Sequence, residues 1–225
     1  MSDREHVQWL ADHFIGADAD TRRGALSPLQ QMQVLLRYFS DPGFQRGVGE
    51  DLGIYQTTVC KTVTKVLGKV MEKACEWITF PTSESAIQIA KNEWQEAFRM
   101  PGAISVLDCT HVRIEKPTQH GDEYINRKGY RSINVHATCN AKGIFTSVDA
   151  TWPGPVNDGR IWINSDVKAV MISRNALLLG DEGYGIAPWL MTPFKHPTSE
   201  EEEAYNRLFA HERALIERTF GQVKR

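Results

Sequence analysis

Residues 103–116 read AISVLDCTHVRIEK, and the folding of this stretch decides the class of the chain. Ala103 to Leu107 form a short apolar run closed by Asp108, after which His111 to Lys116 alternate in polarity. An uninterrupted apolar run suits a strand covered on both faces, and alternation suits one with a single buried face. Asp108 therefore closes a buried strand, where rigid backbone aims its carboxylate. An Asp after a strand is often only turn chemistry, so its meaning depends on its partners.

Working outward, three further acids have comparable settings. Asp181 in LLLGDEGYG follows a second apolar run, Asp158 lies in PGPVNDGRIW, and Glu217 in ALIERTFG lies on an amphipathic helix. Strand ends and a packed helix are rigid, so carboxylates carried there can converge on one divalent cation. RSINVHATCN and GIFTSVDATW read as strands joined by a hairpin at Ala141-Lys142-Gly143. A helix is expected from about Asp158 to Ala169, then the strand ending at Asp181, then a helical tail. Consecutive antiparallel strands followed by a crossover strand predict an α/β fold with a mixed sheet flanked by helices.

Upstream the pattern is all helical. In SPLQQMQVLLRYFSD, residues Leu29, Met32, Leu35, Leu36 and Phe39 recur at helical spacing. Ser27 is placed to cap this helix, Pro28 suits its first turn, and Asp41-Pro42-Gly43 should break it. A short helix ending at Gly53 and a second starting near Tyr55 or Gln56 have the shape of a helix-turn-helix. Val59, Val63, Val66 and Val70 form the inner stripe of the second helix, leaving Thr57, Thr58, Lys61 and Lys65 outside. Such a face suits base edges and phosphates; a merely solvated amphipathic helix has the same pattern, and both readings stand. ITFPTSES is read as a linker, dividing a helical region, 1–80, from a second domain, 81–225. A helix from about Glu84 to Phe98 should pack Ile87, Ile89, Ala90, Trp94 and Phe98, ending before Pro101-Gly102.

The 225 residues carry a net charge of -2. That average conceals a basic run, Lys61, Lys65, Lys69 and Lys73, and an acidic one from Thr198 to Glu203, so it does not exclude nucleic acid. No apolar stretch reaches the roughly 20 residues of a membrane span, and the N-terminus has no signal-peptide core, so an intracellular protein without a membrane partner is expected. Cys60, Cys75, Cys109 and Cys139 form no C-x-x-C pair and complete no zinc site, and are expected as reduced thiols packed mostly as small hydrophobes.

LDCTHVRIEKP, YINRKGYRSINVHATCN, WPGPVNDGRIW, GDEGYGIAPWLMTPF and ERALIERTFGQVKR together resemble the PIF/Harbinger group of DDE-type transposases and their domesticated, transposase-derived nucleases. The helix-turn-helix region is similar to that group too, though less specifically. The resemblance implies an RNase H-like fold and a two-metal centre in which carboxylates bind Mg²⁺ or Mn²⁺. It points to Asp108, Asp181 and Glu217 as direct ligands, with Asp158 as a further ligand or a residue that steadies one. Taken alone, Asp158 fits a helix N-cap and Asp181 a turn residue before Gly183. Arg127 and Lys128, in a hairpin connection flanked by Tyr124 and Tyr130, are read as DNA-backbone contacts, and Arg218 and Lys224 as flanking the cleavage site. His111 is read as a hydrogen-bonded strand histidine, and Trp152 and Trp162 as core. The chain stops at Lys224-Arg225, where the family continues, so the last helix is expected to hold Glu217 weakly.

The function implied is a divalent-metal-dependent endonuclease acting on DNA. A domesticated DNA-binding or partner-recruiting protein with an idle centre is the alternative, and backbone chemistry alone does not separate DNA from RNA. The resemblance further implies a Myb-like partner protein, self-association, and residence in the nucleus, with the cytoplasm as a second location.

Overall fold

The computed structural model describes residues 3–16, 25–40 and 44–224, which divide into two compact units at Trp77/Ile78. The first unit holds α1 (Asp3–Phe14), α2 (Pro28–Ser40), α3 (Gln45–Leu52), α4 (Gln56–Glu72) and the single turn α5 (Ala74–Trp77). Ser27 and Gln30 cap α2 reciprocally, each side chain accepting from the other's backbone N–H. The break expected at Asp41-Pro42-Gly43 lies outside the described residues. Gly53 sits at φ 66°, a left-handed conformation that lets α3 turn directly into α4. Val59 and Val66 are fully buried with Met32, Leu35 and Val48, while Thr57, Lys61 and Lys65 are exposed and Thr58 is half-buried. The basic run is not one continuous face: Lys69 donates to the Ile15 carbonyl and Lys73 to that of His13, satisfying the end of α1. Cys60 and Cys75 are exposed, contrary to the expected packing: Cys60 falls on the outward face of α4, and Cys75 lies in the single turn α5, which buries no residue.

The second unit begins with α6 (Glu84–Ala97), capped by Ser83. Ile87 and Trp94 are buried as expected, but Ile89 points outward, 60% exposed, because its position falls off their helical stripe. The sheet comprises β1 (Ala103–Arg113), β2 (Ser132–Cys139), β3 (Phe145–Pro153), β4 (Leu177–Leu179) and β5 (Leu190–Met191), ordered β3-β2-β1-β4-β5. The β3-β2-β1 pairings are antiparallel and the β1-β4-β5 pairings parallel, the mixed RNase H-like arrangement. Residues 103–116 supply a single strand to Arg113. The edge strand β5 was not foreseen, since two residues carry no periodicity.

The helix expected over 158–169 is two helices, α7 (Asp158–Ile163) and α8 (Asp166–Met171). Ser165 divides them: its hydroxyl donates to the Trp162 carbonyl and caps Lys168 N–H. One buried cluster joins Leu107 with Trp162, Val167 and Met171, and another joins Val106 with Trp94 and α9 (Glu200–Val223) through Phe209, Ile216 and Phe220. The final helix does not fray near Glu217: Ile216, Thr219 and Phe220 are buried, and Lys224 donates to the His111 carbonyl of β1 at 2.9 Å. No helix among the described residues is long and apolar enough to cross a membrane.

Candidate active site

Successive residues of a strand point to opposite faces, so β1 distributes its polar end between two environments. On the α9 side, Asp108 Oδ1 accepts from the Cys109 N–H at 2.8 Å and Oδ2 accepts from Arg213 Nη1 at 2.9 Å. Burial pushes the Asp108 carboxyl up to about 6; the charges of Asp181 and Asp158 push the same way, against the pull of the Cys109 amide and Arg213. The other end of the Arg213 guanidinium donates to Glu217 Oε1, one helical turn further along α9. One cation thus bridges two of the four acids.

On the opposite side, Asp158 is not the helix cap. Asn157 takes that position, accepting from Arg160 N–H at 2.8 Å. The Asp158 carboxylate instead accepts from Asn134 Nδ2 at 2.8 Å, and the same amide donates to the Val156 carbonyl at 2.9 Å. Gly154 lets the chain leaving β3 pack closely on β2, donating to the Ser132 carbonyl at 2.8 Å where a Cβ would lie 2.3 Å from Ser132 Oγ. Beneath lie Cys109, whose sulfur accepts from Tyr184 Oη at 3.3 Å, and His136, pushed down to about 4 by burial and hence a neutral core ring. His111 has the expected strand role, paired at 3.1 Å with Ser132 Oγ. Trp162 is core; Trp152 is half-buried and donates to Asp149.

Asp181 follows β4, and its Oδ1 accepts from Gly183 N–H at 2.9 Å. It is therefore a turn residue, as its spacing allowed, yet its charge also reaches Asp108. Asp158, at a helix start, and Asp181, in a strand-to-loop turn, thus both lie within electrostatic range of Asp108 on β1. All are hard oxygen donors, which is the chemistry Mg²⁺ and Mn²⁺ require. As they stand, no three acidic, imidazole or thiol side chains among the described residues are grouped closely enough to hold a cation.

A basic rim adjoins these acids. His111 is held below its ordinary pKa, first by burial and then by Lys224, Arg127 and Lys128, so those three cations lie within its electrostatic range; Asp158 acts in the opposite sense. Arg127 and Lys128 are exposed on a turn whose geometry is set by Asn126, with Oδ1 accepting from Lys128 N–H at 2.9 Å and Nδ2 donating to Ser132 Oγ at 2.8 Å.

A family model described as DDE superfamily endonuclease matches residues 107–225, beginning at the apolar residue before Asp108 and taking in all four acids. The chain belongs to the DDE superfamily. Among curated relatives, it is 33% identical over 222 residues to the Mus musculus protein named "Putative nuclease HARBI1", covering 96% of this chain and 63% of that one. The Homo sapiens protein of the same name is 31% identical over 223 residues, covering 96% and 64%. An ALP1-like protein of Arabidopsis thaliana is 23% identical over 225 residues, covering 92% and 55%. This DDE chain therefore spans just under two thirds of the length of its HARBI1 relatives. No solved structure matches it.

Two residues at the four acids escaped the reading of the sequence. Arg213 carried one signal, its spacing four residues before Glu217, which on a helix places opposite charges side by side. Asn134 belongs to a row of alternating polar residues, Ser132, Asn134, His136 and Thr138, all buried on β2. A polar row facing inward marks a strand face that serves something other than apolar packing.

Proposed function

We propose that this DDE chain is a divalent-metal-dependent endonuclease of transposase descent that hydrolyses DNA phosphodiester bonds. The observation that carries the reading is that Asp158 and Asp181, carried by two separate elements, both lie within electrostatic range of Asp108, whose carboxylate is half-buried on β1. Such repulsion costs stability and is maintained where the charges serve a cation or a reaction.

Asp108, Asp181 and Glu217, with Asp158 beside them, would hold Mg²⁺ or Mn²⁺. When bound, the cation supplies an activated water and stabilises the leaving oxygen. The chain's own groups prepare that chemistry. Asn134 fixes the Asp158 carboxylate, Gly183 N–H fixes that of Asp181, and partial burial of Asp108 strengthens every charge interaction it makes. Arg127, Lys128 and Lys224 form a positive rim for backbone phosphates, with Arg218 exposed on the same helix as Glu217. Thr57, Thr58, Lys61 and Lys65 supply a second DNA contact through the helix-turn-helix. A Myb-like partner, self-association and a nuclear location, with the cytoplasm second, belong to the same proposal.

Plasmid cleavage with Mg²⁺ or Mn²⁺, comparing the wild type with Glu217→Ala, tests this reading. Cleavage by the wild type alone supports it. Replacing Lys61 and Lys65 together by Ala should lower DNA affinity and flatten its salt dependence by about one unit of slope per lost phosphate contact; an unchanged slope removes them from the interface.

A second reading, a DNA-binding or partner-recruiting protein with an idle centre, is favoured by one observation: Arg213 already pairs two of the candidate ligands. DNA binding without cleavage at any divalent concentration would establish it.

A further inference from the structure

The guanidinium of Arg213 reaches from α9 to β1, and its position is not that of an ordinary helix-surface pair. Its Nη2 arm meets Glu217 on its own helix, but Nη1 crosses to Asp108 Oδ2 at 2.9 Å, where the carboxylate side chain is only 15% exposed. Asp108 Oδ1 is meanwhile committed to the Cys109 N–H. Both oxygens of Asp108 and one oxygen of Glu217 therefore have donors. A divalent ion held between these residues needs lone pairs that Arg213 now engages. The rigid, planar fork of a guanidinium holds two carboxylates at a set span, which a flexible ammonium does not.

We infer that Arg213 is an internal counter-ion that competes with the divalent cation for Asp108 and Glu217, so that metal uptake and release of Arg213 are one coupled event. This rests on reading the four acids as a metal centre. Arg213 offsets the repulsion that Asp181 and Asp158 exert on Asp108, and it occupies carboxylate oxygens on two of the candidate ligands. Coupling of this kind is reciprocal: whatever strengthens the Arg213–Asp108 pair weakens the metal by the same factor. The released guanidinium remains beside Glu217, positioned for a phosphate oxygen of the substrate.

Isothermal titration of the full chain with MnCl₂, without DNA, provides the test. Arg213→Met removes the charge while preserving most of the stem, and should tighten Mn²⁺ binding about tenfold, within the usual range of such couplings. Arg213→Lys, a point charge unable to span both carboxylates, should fall between the two. Adding Glu217→Gln to Arg213→Met should remove the gain. Equal or weaker binding by Arg213→Met overturns the inference while leaving the metal centre standing. No Mn²⁺ binding by either protein overturns the metal-centre reading and this inference with it. If circular dichroism shows Arg213→Met unfolded, the wild type decides: on saturation with Mg²⁺ the Arg213 side-chain N–H resonance should shift, and an unmoved resonance overturns the inference.

Discussion

Glu212 and Glu217 lie on the same helix, yet one is fully buried and the other exposed. Glu212 accepts three hydrogen bonds, from Trp94 Nε1 at 2.9 Å, Arg99 N at 2.8 Å and Met100 N at 2.9 Å. It fastens α9 to α6 through the Trp94 indole, and to the chain just past that helix through the Arg99 and Met100 N–H groups, which would otherwise have no partner. Glu217 has Arg213 and open solvent beside it. The contrast separates two uses of a carboxylate. Neutral donors on fixed backbone, sealed from water, hold a fold together. An exposed group with a displaceable cation remains able to change partners.

The largest expected effect lies at the buried end. Glu212→Ala leaves two buried donors and one part-buried donor without their partner and should cost about 3–5 kcal/mol, measured by urea denaturation. A loss below about 1 kcal/mol would break the contrast, since Glu212 would then be no more structural than Glu217.

Asp108 sits between the two extremes, and pH exposes its cost. Its folded carboxyl titrates at about 6 against an ordinary 3.8, so the folded state favours the protonated form. Stability from this group is fully present below about pH 4 and is lost as pH rises through about 6. Relative to Asp108→Asn, the wild type should lose roughly 3 kcal/mol between those limits. A pH-independent difference would show that burial does not govern this carboxyl.

A smaller effect is expected at Asn134. Asn134→Ala frees the Asp158 carboxylate and the Val156 carbonyl together, and should cost about 1–2 kcal/mol in thermal unfolding. An unchanged melting temperature would show that the Asn134 bonds contribute nothing measurable. The smallest effect is at Glu217 itself. Glu217→Ala should change stability by less than about 1 kcal/mol, because exposed pairs contribute little, while removing the cleavage proposed here. A larger stability loss would make Glu217 structural and erase its difference from Glu212.

Much of the second unit was legible because its signals are local. Apolar runs marked β1 and β4, Ala141-Lys142-Gly143 marked the hairpin, and helical spacing marked α6. The four acids stood out by the stretches around them, although Asp108 lies inside β1, which runs on to Arg113 instead of closing at that residue, and Glu217 lies within α9. What escaped notice was what depends on a neighbour distant in sequence. Ile89 looked equivalent to Ile87 until the helix face was chosen; Lys69 and Lys73 read as part of one basic run with Lys61 and Lys65 until α1 was packed beside them. Asp158 fitted a cap until Asn157 took that role and Asn134 took its carboxylate.

By itself, then, the sequence determined most of the longer elements and the mixed α/β class, and it nominated the acids, because strand runs, helix stripes and turn residues are properties of adjacent positions. Only the tertiary structure decided the partners: that β1 shows Asp108 to α9 and Cys109 to Tyr184, that Glu212 is sealed while Glu217 is open, and that Arg213 spans two carboxylates. Burial and pairing arise from groups far apart along the chain, and no local pattern encodes the distance between them.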